Sequence, residues 1–220
     1  MTCEYVRALS RASEAFVRSL DHSPLVSGVI NGGASQRDYV RYLIASYHYV
    51  RWSGFLLART AQGLRSSGRC PQLLSALDAK ADVEGPHDTW LLHDLAALGQ
   101  NPELAKGTPV PAAVRAYVEW SLTFAEAGSP AFLGAAYTLE FISMRRAQTA
   151  ARNLRARQAI PNIERALRFL DGHGDADQAH IAELETVLEG ITGEVDQTEI
   201  AFSSGVVRHL YPRFFSSESW

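Results

Sequence analysis

Glu84 and His87 form an E-x-x-H pair in the segment VEGPHDTW, and Leu91, Leu95 and Leu98 continue the same helical face inward. In a second segment the apolar line Leu133, Ala136, Tyr137 passes through Glu140 to Met144 and Ala147, which aims a carboxylate at the interior. In a third, His173, Asp177 and His180 follow at i, i+4 and i+7, and Asp177 and His180 share a face with Ile181, Leu184, Val187, Leu188 and Ile191. A buried acid or imidazole without a partner is costly, so six such groups on inward faces require something that satisfies them. Hard carboxylates and borderline imidazoles suit iron or manganese, and carboxylates from several helices can bridge two metal ions.

Each group also has an explanation without a metal. E-x-x-H pairs are common by chance, and Pro86 inside this one removes an amide donor from its helix. Glu140 can pair with an inward arginine such as Arg51, and a neutral core histidine can bond to an aspartate. The aromatic run YVRYLIASYHYVRW can line a cavity or serve as plain core.

The elements that must position these residues read as helices throughout, since apolar residues recur every three or four positions and no alternating strand pattern appears. Ser35 and Asp38 have N-cap spacing, and a long helix is predicted from Ser35 to about Gly63, with Val40, Leu43, Ile44, Tyr47, Gly54 and Leu57 on one stripe. A second covers about Pro71 to Gly99, a third begins near Pro111, and a fourth opens at Ser129-Pro130 and reaches Arg157. A short helix from Pro161 to about Leu170, a break over Asp171-Gly172-His173-Gly174, and helices from about Asp175 to Ile191 and Asp196 to Leu210 complete the pattern. Connections this short favour antiparallel packing, giving one all-α domain over residues 1–220.

Of the 220 residues 46% are hydrophobic and 20% charged, enough apolar mass for a sizeable core. The formal net charge of -3 leaves no basic excess to hold nucleic acid or an anionic membrane. No run approaches the roughly 20 apolar residues of a membrane span. The amphipathic start MTCEYVRALSRASEAF has an early Glu4, so neither secretion nor spanning is expected. Cys3 and Cys70 are too few for a disulfide framework, and the cytoplasm is the expected compartment. Lysine occurs only at Lys80 and Lys106, which by itself carries little functional weight.

The segments HSPLVSGVINGGASQRDYVRYLIASYHYVRWSGFLLARTA, VEGPHDTWLLHDLAALG, YTLEFIS and FLDGHGDADQAH together resemble the haem-oxygenase-like diiron oxidases. That group shares a bundle of about seven to eight helices with haem oxygenase and the thiaminase-type, TenA-like proteins. The His-x3-Asp-x2-His of the last segment is the most specific feature. The resemblance makes His87 a ligand from the central helix, Glu140 a bridging carboxylate, and His173, Asp177 and His180 ligands from the late helix. Glu84 fits the acid that often precedes the central histidine. Two Fe(II) ions, O2 as co-substrate, a small organic substrate, an external electron donor and a homodimer are implied. The reactions implied are N-oxygenation of an amine or oxidative C–C cleavage of an amino or fatty acid.

One departure stands out. Members of the group commonly supply a further glutamate from the long N-terminal-side helix, but residues 39–63 contain no acid, and the expected position falls near Arg51. Three outcomes follow: His48 replaces the lost carboxylate, the second iron binds weakly, or the protein is a mononuclear or metal-free relative. His48 and Arg51 are accordingly the candidates for an additional ligand or substrate contact. The alternatives to an iron oxidase are a metal-free TenA-like or haem-degrading enzyme of the same fold, and a helical binding protein with a structural polar core.

Overall fold

The three- and four-residue periodicity becomes helix in a computed structural model that describes residues 3–216, except for the side chains of residues 174–179. The helices are α1 (Glu4–Ser19), α2 (Pro24–Ile30), α3 (Gln36–Val50), α4 (Ser53–Ser67), α5 (Leu74–Glu84), α6 (His87–Ala97), α7 (Glu103–Gly107), α8 (Ala112–Glu126), α9 (Phe132–Arg157), α10 (Arg168–Glu189) and α11 (Glu194–Phe214). Among the described residues there is no strand, as the all-α reading expects. The longest helix, α9, is the axis of the bundle: α10 and α11 lie along it, and α1, α2 and α4 also pack against it. Its buried face carries Phe132, Leu133, Ala136, Tyr137, Phe141 and Ala147, with Glu140 in the same line.

The predicted N-cap at Ser35 forms. Its Oγ accepts from the Asp38 amide at 3.2 Å and donates to the Asp38 carboxylate at 2.7 Å. The stripe from Val40 to Leu57 is buried, but the single helix expected from Ser35 to about Gly63 is two. At the junction Trp52 N bonds to Tyr49 O at 3.2 Å, a turn tighter than α-helical that re-aims the chain between α3 and α4. The helix expected over about Pro71 to Gly99 is likewise divided, into α5 and α6, because Pro86 has no amide to continue the ladder. This break falls between Glu84, the last residue of α5, and His87, the first of α6.

The opposite correction applies at Asp171-Gly172-His173-Gly174. No break occurs; α10 runs through these residues, and only a 3-10 turn at Ile163–Arg165 precedes it where a short helix was expected from Pro161. Gly172 is there to let two helices meet, since a β-carbon on it would lie 2.7 Å from the Trp90 ring of α6. A glycine costs a helix about 1 kcal/mol relative to alanine, a loss that close packing offsets.

The start of α10 is pinned by Asp94, a residue on α6 that is fully buried. Its two carboxylate oxygens accept from the backbone amides of Arg168 at 3.0 Å and Phe169 at 2.9 Å. They satisfy two of the amides that any helix leaves open at its first turn, and they favour the positive end of its dipole. Burial raises the Asp94 carboxyl above its ordinary value, against the pull of those two amides. Asp94→Ala should therefore lower stability by about 2 kcal/mol, read as a drop in denaturation midpoint. Asp94→Asn, which keeps an acceptor, should lose less.

Candidate metal centre

The Pro86 break, the Asp94 cap and the Gly172 contact bring the α5–α6 junction, the middle of α9 and the first half of α10 to one point. Glu84, His87 and Glu140 are all buried there, and His173 and His180 are half-buried. One ligand atom from each of Glu84, His87 and His173 falls within a single group no wider than 4.8 Å, and the same holds for Glu84, Glu140 and His180. Five of the six residues singled out from the sequence thus converge, with Glu84 common to both groups. The sixth, Asp177, lies outside the described residues.

His87 Nδ1 lies 2.9 Å from Glu84 Oε2, without the alignment of a hydrogen bond. The His87 ring stacks on Trp90 at 4.1 Å and meets the His173 ring edge-on at 4.9 Å. His173 Nδ1 lies 2.9 Å from the carbonyl of Phe169. With Nδ1 donating, Nε2 keeps its lone pair for a metal, the arrangement that orients most metal-binding imidazoles. Burial, and then the neighbouring His87, hold the His173 imidazole below its ordinary pKa, so it stays neutral and able to ligate. These observations fit a divalent metal held by carboxylate and imidazole.

The partner of Glu140 is one that the sequence reading did not weigh. Arg51 takes no part: its guanidinium lies over the rings of Tyr47 at 5.7 Å and Trp52 at 5.4 Å. Lys80 takes that role, with Nζ 2.7 Å from Glu140 Oε1 and 3.2 Å from Glu84 Oε1. Glu140 Oε2 faces His180 Nδ1 at 3.5 Å. Burial opposes the charged forms, but His87 and the Lys80 ammonium outweigh it and hold the Glu84 carboxyl well below the carboxylate range. The Lys80 ammonium is likewise raised by Glu140 and Glu84 against burial. A signal for Lys80 was present, because Leu73, Leu77, Lys80, Glu84, His87 and Leu91 follow at steps of three and four.

The cluster closes one end of a narrow cavity of about 70 Å3. Its walls are mostly apolar, with Tyr49, Leu57, Tyr117, Phe132, Leu170 and Tyr211 among them. Ser53, Ser143 and Arg146 add polar groups to the lining, and burial pushes the Tyr49 phenol up to about 12. Lys80 lines this cavity and also, with His180, a groove between α5 and α10.

His48 is not in the cluster. It is buried beside α7, with Nε2 3.1 Å from Thr108 Oγ1. Burial, and then Arg51, bring its pKa from 6.5 down to about 4. Unfolding therefore takes up a proton: this contribution to stability is complete above about pH 6.5 and is lost as pH falls through about 4. Denaturation midpoints of His48→Gln should accordingly fall less steeply than wild type across that interval.

No curated protein matches this chain. Solved structures of similar shape include a domain of unknown function with a haem oxygenase-like fold from Shewanella denitrificans, with TM-score 0.78, 19% identity, and coverage of 95% of this chain and 88% of that one. A TenA homologue from Pseudomonas syringae pv. tomato gives 0.77 at 16% identity, covering 96% and 91%. The TenA homologue from P. horikoshii gives 0.72 at 17%, covering 96% of both chains. At these identities the likeness establishes the haem oxygenase-like fold. The sequence model of the iron-containing redox enzymes matches residues 40–210, which spans the whole cluster of acids and histidines, and the chain belongs to that family.

Proposed function

We propose that this protein is an O2-dependent nonhaem iron oxidase or oxygenase acting on a small organic molecule. The observation that supports it most is the convergence of Glu84, His87, Glu140, His173 and His180 from three parts of the chain, beside a mostly apolar cavity that Glu84, Glu140 and His173 line. In its two-iron form this reading uses both groups of ligands, with Asp177 completing one of them. Bound iron would supply the one-electron and O2 chemistry that no protein side chain performs at neutral pH.

The chain's own part is binding, orientation and exclusion of water. The neutral His173, bonded through Nδ1 to Phe169, presents Nε2 in a fixed direction. Trp90 packs flat on His87 and restrains its ring. The tyrosine and leucine walls keep bulk water from the reacting end, where fixed charges then act in a low dielectric. A narrow, mostly apolar cavity with Arg146 and two serines in its lining suits a slender small molecule, either an amine open to N-oxygenation or an amino or fatty acid open to oxidative C–C cleavage. In this reading the chain works as a single cytoplasmic domain, as a homodimer, with an external electron donor and without nucleic acid or membrane.

The test is anaerobic loading with Fe(II), removal of loose metal, and measurement of retained iron and O2 uptake. Iron should be retained and O2 uptake should depend on it, and His87→Ala and His173→Ala should each lose both while remaining helical by circular dichroism. A wild-type chain that retains no iron would overturn the reading in favour of a metal-free enzyme of the same fold.

A further inference from the structure

Lys80 is the one feature of the cluster that a two-metal site does not explain. Its ammonium sits between the two glutamates, on the Oε1 side of each, and its side chain is only 13% exposed. A cation placed between two carboxylates contributed by different helices does electrostatically what a bridging metal ion would do there. The two oxygens of Glu84 divide the cluster: Oε1 faces Lys80, and Oε2 faces His87. The group of Glu84, Glu140 and His180 is thus already supplied with a positive charge through both of its glutamates, whereas His87 meets the other oxygen of Glu84 and His173 groups with that pair.

Resting on the iron reading above, we propose that Lys80 permanently takes the place of one metal ion and that the chain binds a single divalent metal on Glu84, His87 and His173. Two imidazoles and one carboxylate form the ligand set of mononuclear nonhaem Fe(II) oxygenases, which keeps coordination positions open for O2 and substrate. Charge balance favours the same answer. One divalent ion beside the ammonium nearly matches the two glutamates, while two ions beside it leave a much larger buried excess of positive charge. Lys80 is then a positioning residue: it holds Glu84 through Oε1 so that Oε2 stays beside His87, and it keeps Glu140 from ligation. The missing acid of residues 39–63 belongs to the same picture, since a site for one metal needs fewer carboxylates.

The experiment is metal counting on the full chain by elemental analysis after anaerobic equilibration with Mn(II), joined to electron paramagnetic resonance of the same samples. Wild type should hold about one ion per chain with the six-line signal of isolated Mn(II). Lys80→Ala should rise to about two, with the broadened signal of a coupled pair, and Lys80→Arg should stay at about one. Two ions in wild type would overturn this inference and leave the iron reading standing; no ion in wild type would overturn both. A folded Lys80→Ala that still holds one ion would show that the ammonium does not exclude the second. Should that variant fail to fold, the wild-type count and signal alone decide.

Discussion

Two carboxylates in the middle of an apolar bundle are the constraint around which the rest of this molecule is arranged. Removing an ion from water costs on the order of several kcal/mol even after the surroundings relax, and only an opposite charge in good geometry offsets it. Glu84 and Glu140 come from different helices, and Lys80 bonds to both. The α5–α9 approach is therefore set by a three-membered charge cluster as well as by apolar packing. Glu84 reaches further, through His87 to α6 and from there to the aromatic contact with His173 on α10.

Holding such a cluster demands backbone features that would be faults elsewhere. A proline interrupts a helix between the two residues of the E-x-x-H pair, so each begins or ends its own helix. A glycine sits inside α10 where Trp90 leaves no room for a β-carbon. A buried aspartate is spent on two backbone amides at the start of the same helix. Each lowers local helix propensity or buries a charge, and each fixes the direction from which a candidate ligand enters.

The family to which the chain belongs is that of the iron-containing redox enzymes, and the donor set of acids and imidazoles is one that suits a divalent metal. The iron-containing redox enzymes and the TenA-like neighbours share this bundle, and what separates chemistries on one fold is the identity of a few inward side chains. In a chain whose other basic residues, Lys106 aside, are arginine or histidine, a lysine at the centre of the site is notable chemically. A cation on a flexible stem can reach both carboxylates from one helix.

The helical class and the inward acids and histidines that converge were legible from residue spacing, because a helix turns its side chains by a constant angle and an inward polar group shows itself against an apolar stripe. Ser35 was legible for the same reason: capping is a matter of residues three apart. Spacing gave no warning that α10 would run through Gly172 and Gly174, because a glycine placed for close packing looks in sequence like a glycine placed for a turn. Asp94 was missed because its partners are more than 70 residues away. Lys80 stood in line with Glu84 and His87, but its bond to Glu140 joins α5 to α9 across a separation of 60 positions. Which inward residues exist is a property of each helix by itself; which charge neutralises which is decided only when the helices pack, since Coulomb attraction depends on distance through space and not along the chain.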